Sequence, residues 1–495
     1  MDGKRQQLNL RREVGLVGAV ALIAGTMIGS GIFMSPQYVL SSIGSPGASL
    51  VVWACSGLLA ILASLSYAEL GTVIAESGGE YIYILRTSGP AVAFMLIFSS
   101  VTFARPAGVA GISLSFAQYT VAPFYTDCAP PVPVVKCVAA VAILVLATVN
   151  CLNVRLAMSI QVVFLVAKVL ALVVIVIGGV TMLVNGHVHN FEDSFADTNV
   201  GISPIGIAFY QGLWSYDGWN NLNYAFTFVL FAKPLGIWAM TFGPFGSLPL
   251  GNDMTSPHVQ VNLPRAVLIA IPMVTLLYLL VNVSYLTVLT PSELMSSSAV
   301  AVTWGNKVLG RWGWVMSVAA ALSAFGSLNG TFFSGGRVCF VAAREGHMPG
   351  ILAMAHIHRL TPSPALIFTT GISLLVLLIG DFQSIVNFFS FTAWFFYAIT
   401  ISGLLYLKVK KPDLPRPYKV PIIIPVLVLI AAVFLVLAPI IDNPQIEYLY
   451  VSLFIFSGIL VYIPVIHYKL CPGLLTRMTL FLQLFLEVAP AEKNL

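Results

Sequence analysis

The sequence predicts an all-α polytopic membrane protein with twelve transmembrane helices, and three observations carry that prediction. Of 495 residues, 58% are hydrophobic and only 9% are charged, whereas soluble domains carry roughly 25% charged residues. Mean hydropathy is +0.93. Apolar runs recur along the whole chain at the length of about 20 residues that a bilayer-spanning helix needs. A surface of this composition would not stay in water, so secreted disulfide scaffolds, nucleic-acid binders and cytosolic enzymes are not expected.

Runs bounded by Pro, Gly or charge place the helices near 14–42, 47–74, 90–121, 134–153, 158–184, 201–224, 264–290, 313–343, 363–380, 383–408, 418–440 and 447–468. The organisation is then a cytoplasmic N-terminus over 1–13, a five-helix repeat over 14–184, a second over 201–408, two extra helices within 418–468, and a cytoplasmic C-terminus over 469–495. With the N-terminus inside, nineteen of the 24 Lys and Arg fall in cytoplasmic segments. The positive-inside rule therefore puts both termini in the cytoplasm. The outer loops are acidic, with Asp127, Glu192, Asp193, Asp197, Asp381, Asp442 and Glu447. The basic start resembles that of a signal peptide, but the apolar stretch behind it is too long and lacks a small-residue cleavage pattern, so it stays as the first helix. The sequons at Asn282 and Asn329 lie inside predicted helices, so no glycosylation is expected. Walker A and His-Glu-x-x-His motifs, the usual marks of ATP-driven pumps and zinc proteases, do not occur.

Two helices carry polar, glycine-bearing interruptions. Helix 1 contains Gly25-Thr26-Met27-Ile28-Gly29-Ser30-Gly31-Ile32-Phe33 at mid-membrane depth. Glycine lacks the Cβ that restricts backbone dihedrals, so the stretch can unwind and turn N–H groups toward a cavity. Unwound backbone survives there only where protein or water satisfies it, and close small-residue helix packing is the alternative. Helix 6 reads Phe209-Tyr210-Gln211-Gly212-Leu213-Trp214-Ser215-Tyr216-Asp217-Gly218-Trp219-Asn220-Asn221, a second interruption, with a carboxylate. Matching breaks five spans apart fit two inverted repeats and a transporter site. One half-helix N-terminus would receive a substrate carboxylate. Carbonyls at the other break would accept from an ammonium.

These residues resemble the amino acid, polyamine and organocation transporter superfamily, and within it the light subunits of the heteromeric amino acid exchangers. The likeness runs from Arg12 to beyond His467 and rests on Gly29-Ser-Gly-Ile-Phe33 with Ser35-Pro36, Ala68-Glu-Leu-Gly71, Ser77-Gly-Gly-Glu-Tyr81, Trp214 to Tyr224, Asn262-Leu-Pro264, Ala299-Val-Ala-Val302 and Ala343-Arg-Glu-Gly-His347. The cystine-transporting types, cystine and dibasic or aspartate, glutamate and cystine, are the most similar. The resemblance implies a fold of five plus five inverted helices with two more, sodium-independent exchange, the plasma membrane, and pairing with a single-pass glycoprotein heavy subunit. By position, Ile28, Ser30 and Gly31 would bind the substrate carboxylate, with Thr26 in the same stretch. Trp214, Ser215 and Asp217 would surround its ammonium and side chain, and Trp214 would be the outer gate. One segment departs from the family: residues 225–260 replace an acidic run and short loop with a longer apolar, Gly- and Pro-rich stretch that looks like translated intron.

Charges in hydrocarbon need a partner or a purpose. Lys168 in helix 5 either snorkels to an interface or, as the resembling exchangers imply, replaces the sodium ion of coupled relatives. Arg105 in helix 3 cannot shed its proton and must face a cavity or a carboxylate. It is either a structural partner of Asp217 or Glu69, or a recognition group for an anionic side chain, matching an arginine of the cystine and glutamate exchanger. Asp217 points instead toward cationic substrates.

Of six cysteines, only Cys128 lies clearly in an outer loop, which suggests an intermolecular disulfide. Cys137 is a possible intramolecular partner, but its apolar neighbours suggest burial. In the resembling family the loop cysteine joins the heavy subunit. No cofactor or metal is expected, since His356-x-His358 sits in a basic loop without a third ligand. The chain is therefore read as the transport subunit of an exchanger working by alternating access, and not as an enzyme. The alternatives are a uniport facilitator and a defective isoform acting as receptor or sensor.

Overall fold

The computed structural model describes residues 16–74, 79–125, 128–152, 154–220, 257–357, 359, 361–441, 446–464, 468 and 472–490. Eight of the described helices are long and apolar enough to cross a membrane, and two shorter apolar ones, span 9 (Ser363–Ile379) and span 12 (Ile446–Tyr462), accompany them. Span 1, which is interrupted, and span 6, which is described only through its first helical part and the turn that ends it, complete the set of twelve. Span 1 is split into Leu16–Met27 and Gly31–Ile43, and span 6 runs as Ile202–Ser215 before turning over 216–220. The protein is a polytopic helical bundle in which the broken spans stand five positions apart.

The remaining spans follow their local sequence. Span 2, Pro46–Val73, opens on a proline, which has no N–H to leave unsatisfied at a helix start. Span 3 is Pro90–Ser99, a wide π turn over Ser100–Ala104, and Arg105–Val121. Spans 4 and 5 are Val132–Leu152 and Val154–Val184, and spans 7 and 8 are Pro257–Val288 and Trp314–Arg344. Span 10, Phe382–Lys410, starts where the Asp381 carboxylate accepts from the N–H groups of Gln383 and Ser384. Span 11 begins at Ile423, five residues later than the apolar run suggests, because the stretch before it packs under span 2.

The sequence reading missed several shorter elements. Glu80–Ser88 joins spans 2 and 3, while Pro291–Ser296 and Val300–Val308 join spans 7 and 8. Pro472–Phe485 follows span 12, and strand Val488–Pro490 then pairs antiparallel with Met354–His356 between spans 8 and 9. The C-terminal region is thus folded. One end of the bundle carries Arg86, Arg344, Lys408, Lys411 and Arg416 and is termed the basic face. The opposite end carries Glu192, Asp193, Asp197 and Asp381 and is termed the acidic face.

Outward surfaces expose Leu170, Ile177, Leu375, Ile430 and Leu460, as lipid-facing helices do, whereas Glu69, Lys168, Gln211, Asn282 and Asn329 are buried inside. Cys137 is a correction: it lies exposed on span 4 and not buried. Its apolar neighbours mark a lipid-facing surface. Residues 225–256 of the departing segment, the 1–13 terminus, Asp127, Lys233, Asp442 and His358 lie outside the described residues, and the segment's last four residues, 257–260, begin span 7.

Candidate binding site at two helix breaks

The break in span 1 leaves a cluster of free backbone groups. Phe33 and Met34 both donate to the Ser30 carbonyl at 3.2 Å. The N–H groups of Gly29, Ser30, Gly31 and Ile32 donate to no other described residue. They gather at the start of the half-helix Gly31–Ile43, where the dipole favours an anion. On the other side of the break the carbonyls are taken up. Lys168 Nζ donates to Gly25 O and Ile28 O, both at 2.7 Å, and the Tyr278 hydroxyl lies 2.8 Å from Met27 O. An ammonium at the C-terminal end of a half-helix also complements its dipole.

Span 6 breaks beside it. Tyr216 N donates to Leu213 O at 3.1 Å and Asp217 N to Trp214 O at 3.2 Å, a tightened last turn. Gly218 then takes φ +104°, a conformation that side-chain-bearing residues rarely adopt. The same Tyr278 hydroxyl lies 3.0 Å from Ser215 O, and Thr26 Oγ1 lies 3.4 Å from Gly218 O. A Cβ placed on Gly31 would stand 2.6 Å from the Ser215 Cα, so only glycine allows the two breaks to meet. Ser215 Oγ is buried with no hydrogen-bond partner among the described residues.

Aromatic layers bracket the breaks. Toward the acidic face, Trp214 packs edge-on against Phe389 and Phe382, with ring centroids 5.0 and 6.2 Å away. Toward the basic face, Trp219 meets Tyr67 at 4.9 Å and Tyr397 at 5.2 Å, and Asn220 donates to the Tyr397 hydroxyl at 3.1 Å. The second layer and Tyr278 were missed in the sequence. Trp219 stands in the span 6 run and Tyr67 just ahead of Ala68-Glu-Leu-Gly71, which were the available signals.

The intramembrane charges separate into three places. Lys168 is 2% exposed and does not snorkel, because both of its described acceptors are carbonyls of the first break. Arg105 and Asp217 are half-buried, and the guanidinium acts electrostatically on the Asp217 carboxylate. Glu69 is not the partner of Arg105. Its carboxylate takes Lys408 Nζ and an Arg416 guanidinium nitrogen at 2.7 Å each, and the Val420 N–H at 2.9 Å, toward the basic face. Arg105 itself follows the π turn, with its N–H reaching back to Ser100 O. Pro106 explains that turn, since it has no N–H and its ring would clash with a normally placed carbonyl.

The structure therefore brings together Thr26, Ile28, Ser30, Gly31, Trp214, Ser215 and Asp217, with Lys168 behind the first break and Arg105 within electrostatic range of Asp217. Cys128 is apart from them, exposed in the connection between spans 3 and 4. It is not bonded to Cys137.

Comparison with known proteins gives the family. The amino acid permease family matches over residues 14–464. The human b(0,+)-type amino acid transporter 1 is 44% identical over 488 residues, covering 98% of this chain and 95% of that protein, and the mouse protein matches equally. The rabbit large neutral amino acids transporter small subunit 2 is 39% identical over 440 residues, 88% of this chain and 77% of that protein.

Proposed function

The chain belongs to the amino acid permease family, and from that premise we propose that it is the transport subunit of a sodium-independent amino acid exchanger working by alternating access. Amino acid transport across a membrane is the function its relatives carry, and the family is one of transporters and not of enzymes. The observation that supports the finer reading is the meeting of two helix breaks between two aromatic layers, with a fixed lysine ammonium on the carbonyls of the first.

In this reading the free N–H groups from Gly29 to Ile32 receive the substrate carboxylate. The ammonium lies near the span 6 break, around Ser215 and Asp217. Trp214 closes the acidic side, and Trp219 with Tyr67 and Tyr397 closes the basic side. Lys168 stands where a coupled transporter would hold sodium, so folding of the broken helix needs no ion. Arg105 and Asp217 meet the substrate side chain, and cystine with neutral or charged amino acids is the proposed range. The basic face is assigned to the cytoplasm of the plasma membrane, together with both termini. Cys128, on the acidic face, is assigned to a disulfide with a single-pass glycoprotein heavy subunit.

Counterflow in proteoliposomes tests the proposal. Radiolabelled cystine, arginine, glutamate and leucine are offered to vesicles loaded with unlabelled amino acid or left empty, in sodium or choline buffer. Uptake that requires internal amino acid and ignores the cation is expected. Equal uptake into empty vesicles would indicate a facilitator, and binding without uptake a sensor.

A further inference from the structure

The C-terminal helix Pro472–Phe485 is apolar on two sides. Successive helical residues are about 100° apart, so Leu480, Phe481, Leu484 and Phe485 share one arc of roughly 140°. Leu482, with Leu486 just beyond the helix end, falls on the other side. Leu482 and Leu486 pack against the protein core. The first group does not: Leu480 is 57% exposed, Phe481 68%, and Leu484 and Phe485 73% each. The rings of Phe481 and Phe485 stack within 6° of parallel at 6.3 Å, forming one continuous apolar ridge.

The ridge is held at the level of the membrane boundary from both ends. Nine residues separate Tyr462, the end of span 12, from Pro472, a stretch that reaches about 30 Å at most. At the other end, Val488–Pro490 pairs with Met354–His356 in register, and Ile357 N donates to Glu487 O at 3.1 Å. The helix also packs on Gly350–Ala353. That segment begins six residues after span 8 ends at Arg344, and the strand it leads into stops seven residues before span 9 starts at Ser363. Leu453, Phe456 and Leu460 of span 12, the span that leads into this helix, are likewise exposed. Lys469 and Arg477 precede the ridge in sequence and match the negative charge of an anionic leaflet, while the exposed Glu487 follows it. A contiguous exposed apolar surface of this kind needs an occupant.

We propose that the helix Pro472–Phe485 lies in the bilayer interface with Leu480, Phe481, Leu484 and Phe485 inserted at the headgroup and acyl boundary, and that the strand pair clips the connection between spans 8 and 9 to it. The occupant is lipid and not a soluble protein or a second copy of the chain. A helix with one large apolar surface preceded by basic residues takes this position, buried a few ångströms below the headgroups.

The test uses the full chain in vesicles of phosphatidylcholine and phosphatidylserine. Leu484→Cys in a background with the native cysteines replaced by serine carries a bimane label, and Asp413→Cys, exposed in the loop after span 10, carries the aqueous reference. Lipid bearing a nitroxide at acyl carbon five should remove most of the emission at 484 and little at 413, and aqueous iodide should do the reverse. Iodide quenching at 484 equal to that at 413 would overturn the proposal, as would protection of 484 from both quenchers, which would mean a protein cover. Should the serine background not fold, the unaltered chain is crosslinked with photoactivatable phosphatidylcholine and mapped by mass spectrometry. Adducts on 480–485 support interfacial insertion, and adducts confined to the twelve spans overturn it.

Discussion

Lys168 donates to the carbonyl oxygen of Ile28 at 2.7 Å, which fastens span 5 to the point where span 1 stops being helical. The same ammonium reaches Gly25 O at 2.7 Å. Two carbonyls that a continuous helix would use internally are thus satisfied from outside it by a buried side chain.

Lys168→Met keeps the apolar stem and removes the donor. Leaving buried acceptors unpaired costs about 1–3 kcal/mol for each group. Exchange in proteoliposomes should fall by at least about tenfold, which corresponds to 1.4 kcal/mol, with the protein still reaching the membrane. Wild-type rates in the variant would show that the break stands without the ammonium.

Glu69 joins span 2 to Lys408 and Arg416, and none of the three has much access to solvent. Glu69→Ala leaves two buried cations without their counter-charge, a change that costs about 3–5 kcal/mol when one side of a buried pair is removed. The expected result is loss of folded protein in detergent, seen as a lower melting temperature. Glu69→Gln should lie between the variant and the wild type, since it keeps one acceptor oxygen but turns N–H groups toward a partner of the other. Unchanged melting in Glu69→Ala would refute the structural role.

Much of this was legible in the sequence, and the missing parts share a cause. Apolar length marked the twelve spans, and Gly29-Ser-Gly31 and Asp217-Gly218 marked the breaks, because glycine and polar groups at that depth are conspicuous. Lys168, Arg105 and Asp217 stood out for the same reason. Tyr278 did not, since a tyrosine within Leu276-Leu277-Tyr278-Leu279 is indistinguishable from packing until its hydroxyl is located. The partner of Glu69 was also hidden, because Arg416 is 347 residues away along the chain. Cys137 was misjudged because apolar surroundings do not separate protein core from lipid. The helices Glu80–Ser88 and Pro472–Phe485 were too short to register as spans.

Cys128 is exposed and free of any bond within the described chain. Cys128→Ser should remove a reducible high-mass band on non-reducing gels of membranes containing the heavy subunit. Noncovalent association should persist in part, because a disulfide adds to a larger interface. An unchanged band would place the link elsewhere.

Arg105 and Asp217 offer opposite charges to the substrate side chain. If substrate inserts between them, Arg105→Ala should weaken glutamate and cystine competition more than leucine, and Asp217→Ala should weaken arginine most. The affected substrate should lose about tenfold in affinity, or 1.4 kcal/mol. Equal losses for all four substrates in both variants would make the two residues a structural pair.

The Tyr278 hydroxyl lies within hydrogen-bond distance of a carbonyl at each break, Met27 O and Ser215 O, yet a phenol carries a single proton. It can serve one break fully or share itself weakly between both. One carbonyl is therefore always underserved, and in the proposed reading the donor that completes it from the space between the breaks is the ammonium of the substrate. Arrival of that group would let the phenol commit its proton to one helix and release its hold on the other. On that proposal, the count of hydrogens on one side chain would couple occupancy of the site to how tightly spans 1 and 6 are tied together.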